Sequence, residues 1–180
     1  MGVYDDLTFA SILSPAMANV AQKIGSDKLR PVDVSALISG KLLELNNFWN
    51  KARNGMPLPC AASFDPIHIP KHLSQVFLIQ VDHDPLRFAF RVVGEDPHEA
   101  FGTNVSGMEV SSIELQGLPV GKMMHEGYEW IISQRKPVAM AGPNGALVDG
   151  YTNQEMIYLP FSDGGASITR ILGAAVYYRG

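Results

Sequence analysis

Apolar residues return at three- and four-residue steps in two long stretches of the chain, and they alternate or run together in five short ones. In "VSALISGKLLELNNFWNKARNG", Ile38, Leu42, Leu45, Trp49 and Ala52 share a stripe that Leu37 and Phe48 widen, while Lys41, Glu44, Asn47 and Lys51 take the other side. With Ser35 as N-cap, Lys51 and Arg53 in the last turns and Gly55 just beyond, the spacing predicts a helix over 35–54. In "LPVGKMMHEGYEWIISQRK", Val120, Met124, Tyr128 and Ile131 form a second helical stripe. "PAMANVAQKI" predicts a short helix with Pro15 in its first turn and Gly25 as its stop, and "GSDKLRPVD" reads as a linker.

The short runs have strand character. "VFLIQV", the turn "DHDP" and "LRFAFRVVG" make a hairpin in which Leu86, Phe88, Phe90 and Val92 share one face and Arg87 and Arg91 the other. "PVAMAG", "NQEMIYLPF" and "SITRILGAAVYY" are three more strands, the last two joined by the turn "SDGG". Between hairpin and long helix, "EDPHEAFG" suits one or two helical turns, with a loop running on through Gly107. "MPLPCAASFDPIHIPKHLSQ" is an irregular connector with a helical turn after Pro70. This order predicts an α+β fold: one five-stranded antiparallel sheet, helices packed on one face, and a cleft between helix and sheet. Residues 1–34 are read as an arm and linker, and 35–180 as the domain.

Composition narrows the function classes. A chain of 180 residues with 46% hydrophobic and 18% charged residues builds one domain with a core. A net charge of −4 with scattered Lys and Arg advertises no nucleic-acid partner and no anionic membrane. The single cysteine, Cys60, rules out an intrachain disulfide framework and a cysteine zinc cluster. The first residues lack the basic start of a signal peptide, and no window reaches the roughly 18 apolar residues of a membrane span, so a cytoplasmic protein is expected.

Chemistry-bearing residues are present without a motif to organise them. Gly94, Gly102 and Gly107 do not fit a dinucleotide or phosphate loop and read as turns. His68 and His72 are four apart, but Pro70 between them breaks the helix that a shared metal would need. Asp82, His83 and Asp84 belong to a hairpin turn. Glu95, Asp96 and Glu99 suit a helix start better than acid–base work. No catalytic residue, metal site or cofactor is assigned. The dry face of the hairpin (Phe88, Phe90, Val92) is expected to oppose Phe101, Met108, Met124, Tyr128 and Ile131. Close packing favours these as filled core, and a pocket, where one exists, is lined by them. Exposed arginines on the other face, Arg87 and Arg91 with Arg170, keep a sheet soluble and also suit protein contacts.

The segments "LLELNNFWNKARNGMPLP", "DPIHIPKHLSQVFLIQVDHDPLRFAFRVVG", "FGTNVSGM" and "YLPFSDGG" follow one another as in a family of short bacterial PAS-like proteins, which the chain resembles from about Leu42 to Tyr178. The resemblance implies a PAS fold and a sensory or ligand-binding module in which short helices after the second strand wall a cavity. Haem, held in some PAS domains by a histidine of the long helix, is not expected. His125 stands about 100° off the apolar stripe and is expected to be solvated. The covalent flavin adduct is not expected either, because no cysteine lies in "EDPHEAFG". The expected function is thus non-catalytic regulation through a small apolar ligand or a protein partner, with output in trans or by dimerisation. A homodimer is expected to form on Ile38, Leu42, Leu45 and Trp49. The alternatives are a small cavity enzyme of the isomerase or hydratase type, and a structural interaction protein with a filled interior.

Overall fold

The structure is a computed structural model and describes residues 4–144 and 150–179. Its spine is an antiparallel sheet of six strands in the order β1-β4-β5-β6-β2-β3. These are β1 (Arg30–Val32), β2 (Val76–Asp82), β3 (Arg87–Val93), β4 (Val138–Pro143), β5 (Asn153–Ser162) and β6 (Ile168–Tyr178). The helices are α1 (Phe9–Ile12), α2 (Pro15–Ile24), α3 (Gly40–Ala52), α4 (Glu95–Phe101) and α5 (Val120–Gln134). The α+β class and the five expected strands are present; the sixth, β1, arises from the stretch read as a linker. Three residues with a proline at the centre carry no strand pattern, and a proline can sit there only because β1 is an edge strand, pairing with β4 alone.

Cross-strand register defines two faces. Val138, Tyr158, Gly173 and Phe77 are paired in a row across four strands and share the inner face. A side chain on Gly173 would run into the Phe77 ring, its Cβ lying 2.2 Å from Cε2, so glycine lets this ring lie flat on the sheet. Residues Ile157, Leu159 and Phe161 alternate with these and face outward, where all three are nonetheless buried.

They are buried because α3 lies on that outer face, against β5 and β6. Trp49 Nε1 donates to the Pro160 carbonyl over 2.7 Å. The Glu155 carboxylate accepts from the Ile38 and Ser39 amides at 2.8 and 2.9 Å and from the Tyr178 hydroxyl at 2.9 Å. Ser39, whose Oγ accepts from the Leu42 amide, is therefore the N-cap in place of Ser35, and 34–36 form a separate 3-10 turn. The helices thus occupy both sheet faces rather than one. Three residues of the expected dimer stripe, Leu42, Leu45 and Trp49, are instead spent on the chain's own sheet, while the fourth, Ile38, precedes the helix and is 83% exposed.

Helices α1, α2, α4 and α5 lie on the inner face. Expected details hold at α2, which starts at Pro15 behind a Ser14 cap and stops at Gly25 with φ 77°. No helix among the described residues is long and apolar enough to cross a membrane.

Candidate functional site

The inner layer is filled at one end and hollow at the other. At the filled end, Phe88 and Phe90 project from β3 onto α5 and onto the chain before it. Phe88 meets Tyr128 edge-on at 5.6 Å, and Phe90 meets Phe77 at 6.0 Å and Phe101 at 5.8 Å. Tyr158 joins the series by edge contacts to Tyr128 at 5.9 Å and to Phe77 at 6.0 Å. These rings form a wall.

Beyond the wall, toward β4 and along α5 from Val120 to Ile131, lies a cavity of about 130 Å³. The sheet provides its floor through Met140, Met156, Tyr158, Ala175 and Tyr177, and α5 one side through Met123, Met124, Tyr128 and Ile131. Small residues at Gly127 and Ala175 leave room that bulkier ones would occupy.

The remaining side comes from the arm. Phe9, Ile12, Ile24, Ser26 and Leu29 all line the cavity, which makes residues 4–32 a packed part of the molecule rather than a linker. Among the contacts that seat the arm on α5, two are the most specific. Phe9 lies against Gly127, where a Cβ would come within 3.0 Å of its Cε2. The Glu126 carboxylate accepts from the Ser14 amide at 3.1 Å and the Ser14 hydroxyl at 2.9 Å, at the start of α2 where an anion also meets the helix dipole. The arm is closed on itself as well, the Phe9 amide donating to the Leu29 carbonyl at 2.6 Å.

The polar content is small. Ser26 donates to the Ala21 carbonyl at 3.4 Å, Gln154 Nε2 to the Pro143 carbonyl at 3.4 Å, and the Tyr158 hydroxyl to Met156 Sδ at 3.3 Å. Asn144, just after β4, lines the cavity with its Nδ2 buried and without a hydrogen-bond partner among the described residues. Burial pushes the Tyr128, Tyr158 and Tyr177 hydroxyls above their ordinary 10.0, with neighbouring tyrosines adding to the effect at Tyr128 and Tyr158 and Asp96 at Tyr177. All three are neutral at physiological pH.

Of the eight residues expected to line a pocket, Phe101, Met124, Tyr128 and Ile131 do. Phe88 and Phe90 are buried within the wall as core and do not reach the cavity. Val92 and Met108 are corrected: both are exposed, Val92 by 51%. A β-bulge explains Val92. Ile79 pairs with Phe90 while Leu78 pairs with Val92, so the register shifts by one residue between them and Val92 turns to the outer face. Met108 sits in the loop beyond Gly107, where its backbone carbonyl, rather than its side chain, engages β3 by accepting from the Phe90 amide at 3.0 Å.

His125 is also corrected, being half-buried with its ring 5.0 Å from Phe88. Packing of the arm, β3 and the 110–112 turn around α5 buries a face wider than the four-residue stripe. His72 is buried, its Nε2 3.0 Å from Glu44 Oε2, while His68 is exposed beside Phe48. Among the described residues no three His, Cys, Asp or Glu side chains are grouped to hold a metal ion.

An antiparallel sheet with a long helix across its inner face, and a ligand-sized hollow between them, defines a cavity-bearing module of PAS type. A family model described as PAS domain matches residues 39–176, and the chain belongs to that family. Sensing and regulation are the general business of such modules. A comparison with curated proteins returns no match. The match begins at the α3 cap, so the arm that lines one side of the cavity lies outside it.

Proposed function

We propose that this chain is a non-catalytic sensory or regulatory module whose input is a small molecule held between α5, the sheet and the N-terminal arm, and whose output passes to a protein partner in trans. The observation that carries this reading is the cavity itself: apolar, bounded by aromatic and methionine side chains, and lined on one side by the N-terminal arm. Occupancy would bear directly on the arm through Phe9, Ile12 and Ile24, giving a partner something to detect.

A cavity enzyme of the isomerase or hydratase type needs a proton donor or acceptor facing its substrate. The lining residues include no carboxylate and no histidine, and the tyrosines hold their protons too firmly to act as bases near neutrality. This favours binding over chemistry. Native mass spectrometry of the purified chain, before and after solvent extraction, tests the proposal. A bound mass that extraction removes, and whose return raises the melting temperature, is expected. A chain that carries no extra mass and gains no stability from any member of a small-molecule library would overturn it.

A further inference from the structure

The ligand's chemistry can be read from the wall. We infer that the cavity selects an uncharged, compact molecule built on one six-membered ring and bearing a single hydroxyl or carbonyl group, which pairs with the Asn144 side-chain amide. The inference rests on the binding reading above and narrows it.

Size comes first. An apolar cavity of roughly 150 Å³ accommodates benzene, and this one measures about 130 Å³. One ring with a short substituent is the natural fit. Charge comes second. No Lys, Arg, Asp, Glu or His is among the lining residues, so an ionised ligand would lose its water without gaining a counter-charge. Burial holds the tyrosine hydroxyls protonated, which leaves the wall neutral too.

The polar anchor comes third. The Tyr128 and Tyr177 hydroxyls line the cavity too but are not buried atoms left without a partner, and Ser26, Gln154 and Tyr158 each spend a donor on a protein acceptor. Asn144 does not. It is 3% exposed, its backbone amide is fixed to the Thr152 carbonyl at 3.0 Å, and its Nδ2 meets no acceptor among the described residues. A buried amide nitrogen without a partner is costly and uncommon in a native fold. A hydroxyl on the ligand satisfies whichever end of this amide turns toward it, because a hydroxyl both donates and accepts.

Benzyl alcohol and ethylbenzene share one heavy-atom skeleton and differ only in a hydroxyl against a methyl. Their affinities are measured by calorimetry for the wild-type chain, for Asn144→Leu and for Asn144→Ala, with folding checked by circular dichroism. Ethylbenzene leaves water more readily, so the reading is the change in the affinity ratio and not the ratio itself. Removing the amide is expected to move that ratio about fivefold toward ethylbenzene, the worth of one neutral hydrogen bond. Asn144→Ala gives the same reading should the leucine variant misfold. A ratio that stays within about twofold in a folded variant overturns the role of Asn144 while leaving the cavity reading intact. If neither compound binds a wild-type chain that carries or is stabilised by some other small molecule, this inference falls alone; if nothing binds, that reading falls with it.

Discussion

Glu155 shows how much of the fold one side chain can organise. Its carboxylate holds two backbone amides at the approach to α3 and the Tyr178 hydroxyl of β6, all from a buried position on β5. Glu155→Ala would strand these donors, and a loss of about 2–3 kcal/mol in urea unfolding is expected. Glu155→Gln keeps an acceptor and should lose about 1 kcal/mol. The bulge makes a second residue-scale prediction. Val92→Thr should change stability by less than about 0.5 kcal/mol because the side chain faces solvent, whereas Phe90→Ala, two residues earlier, should cost about 3–5 kcal/mol. Equal costs at the two positions would mean that the strand keeps its alternation and the bulge is absent. That alternation was the only guide available in "LRFAFRVVG". A bulge leaves no mark in such a run, so Phe88 and Phe90 were legible as inward residues and Val92 was not.

At the scale of elements, legibility followed the locality of the signal. Pro15 and Gly25 bound α2 through their own backbone preferences, and "SDGG" turned where its composition said it would. The α3 cap was misplaced because the choice between Ser35 and Ser39 is made by Glu155, far away in sequence. Of the eight residues expected at the site, four lie at the cavity, and three of them, Met124, Tyr128 and Ile131, come from the helical stripe, whose periodicity reports a buried face. The arm's share was hidden because Phe9 meets Gly127 only after the chain has folded. The arm also offers a clean test. Glu126→Ala removes the acceptor for both Ser14 donors, and amide hydrogen exchange across Phe9–Ile24 should quicken about fivefold, equivalent to roughly 1 kcal/mol. Exchange in β5 and β6 should not change. Uniform acceleration through the sheet would show that the arm is no separate unit.

For the whole molecule, the buried tyrosines set an alkaline limit. Their folded-state pKa values lie above the unfolded value of 10.0, so folded and unfolded chains bind the same protons below that pH and stability is fully present. As pH rises past 10, the unfolded chain releases protons that the folded chain keeps. Stability then falls by up to about 1.4 kcal/mol per pH unit for each of Tyr128 and Tyr158. The double variant Tyr128→Phe, Tyr158→Phe should flatten that part of the stability–pH curve, and an unchanged slope would assign the alkaline loss to other groups.

The account stands or falls on where a ligand goes. Methyl-resolved NMR of the wild-type chain, titrated with benzyl alcohol, reports this residue by residue. Shifts should concentrate at Ile24, Met123, Ile131 and Met156, which surround the cavity, and spare Ile157, which faces α3 on the other side of the sheet. Shifts gathered on the α3 side, or none at saturating concentration, would contradict it.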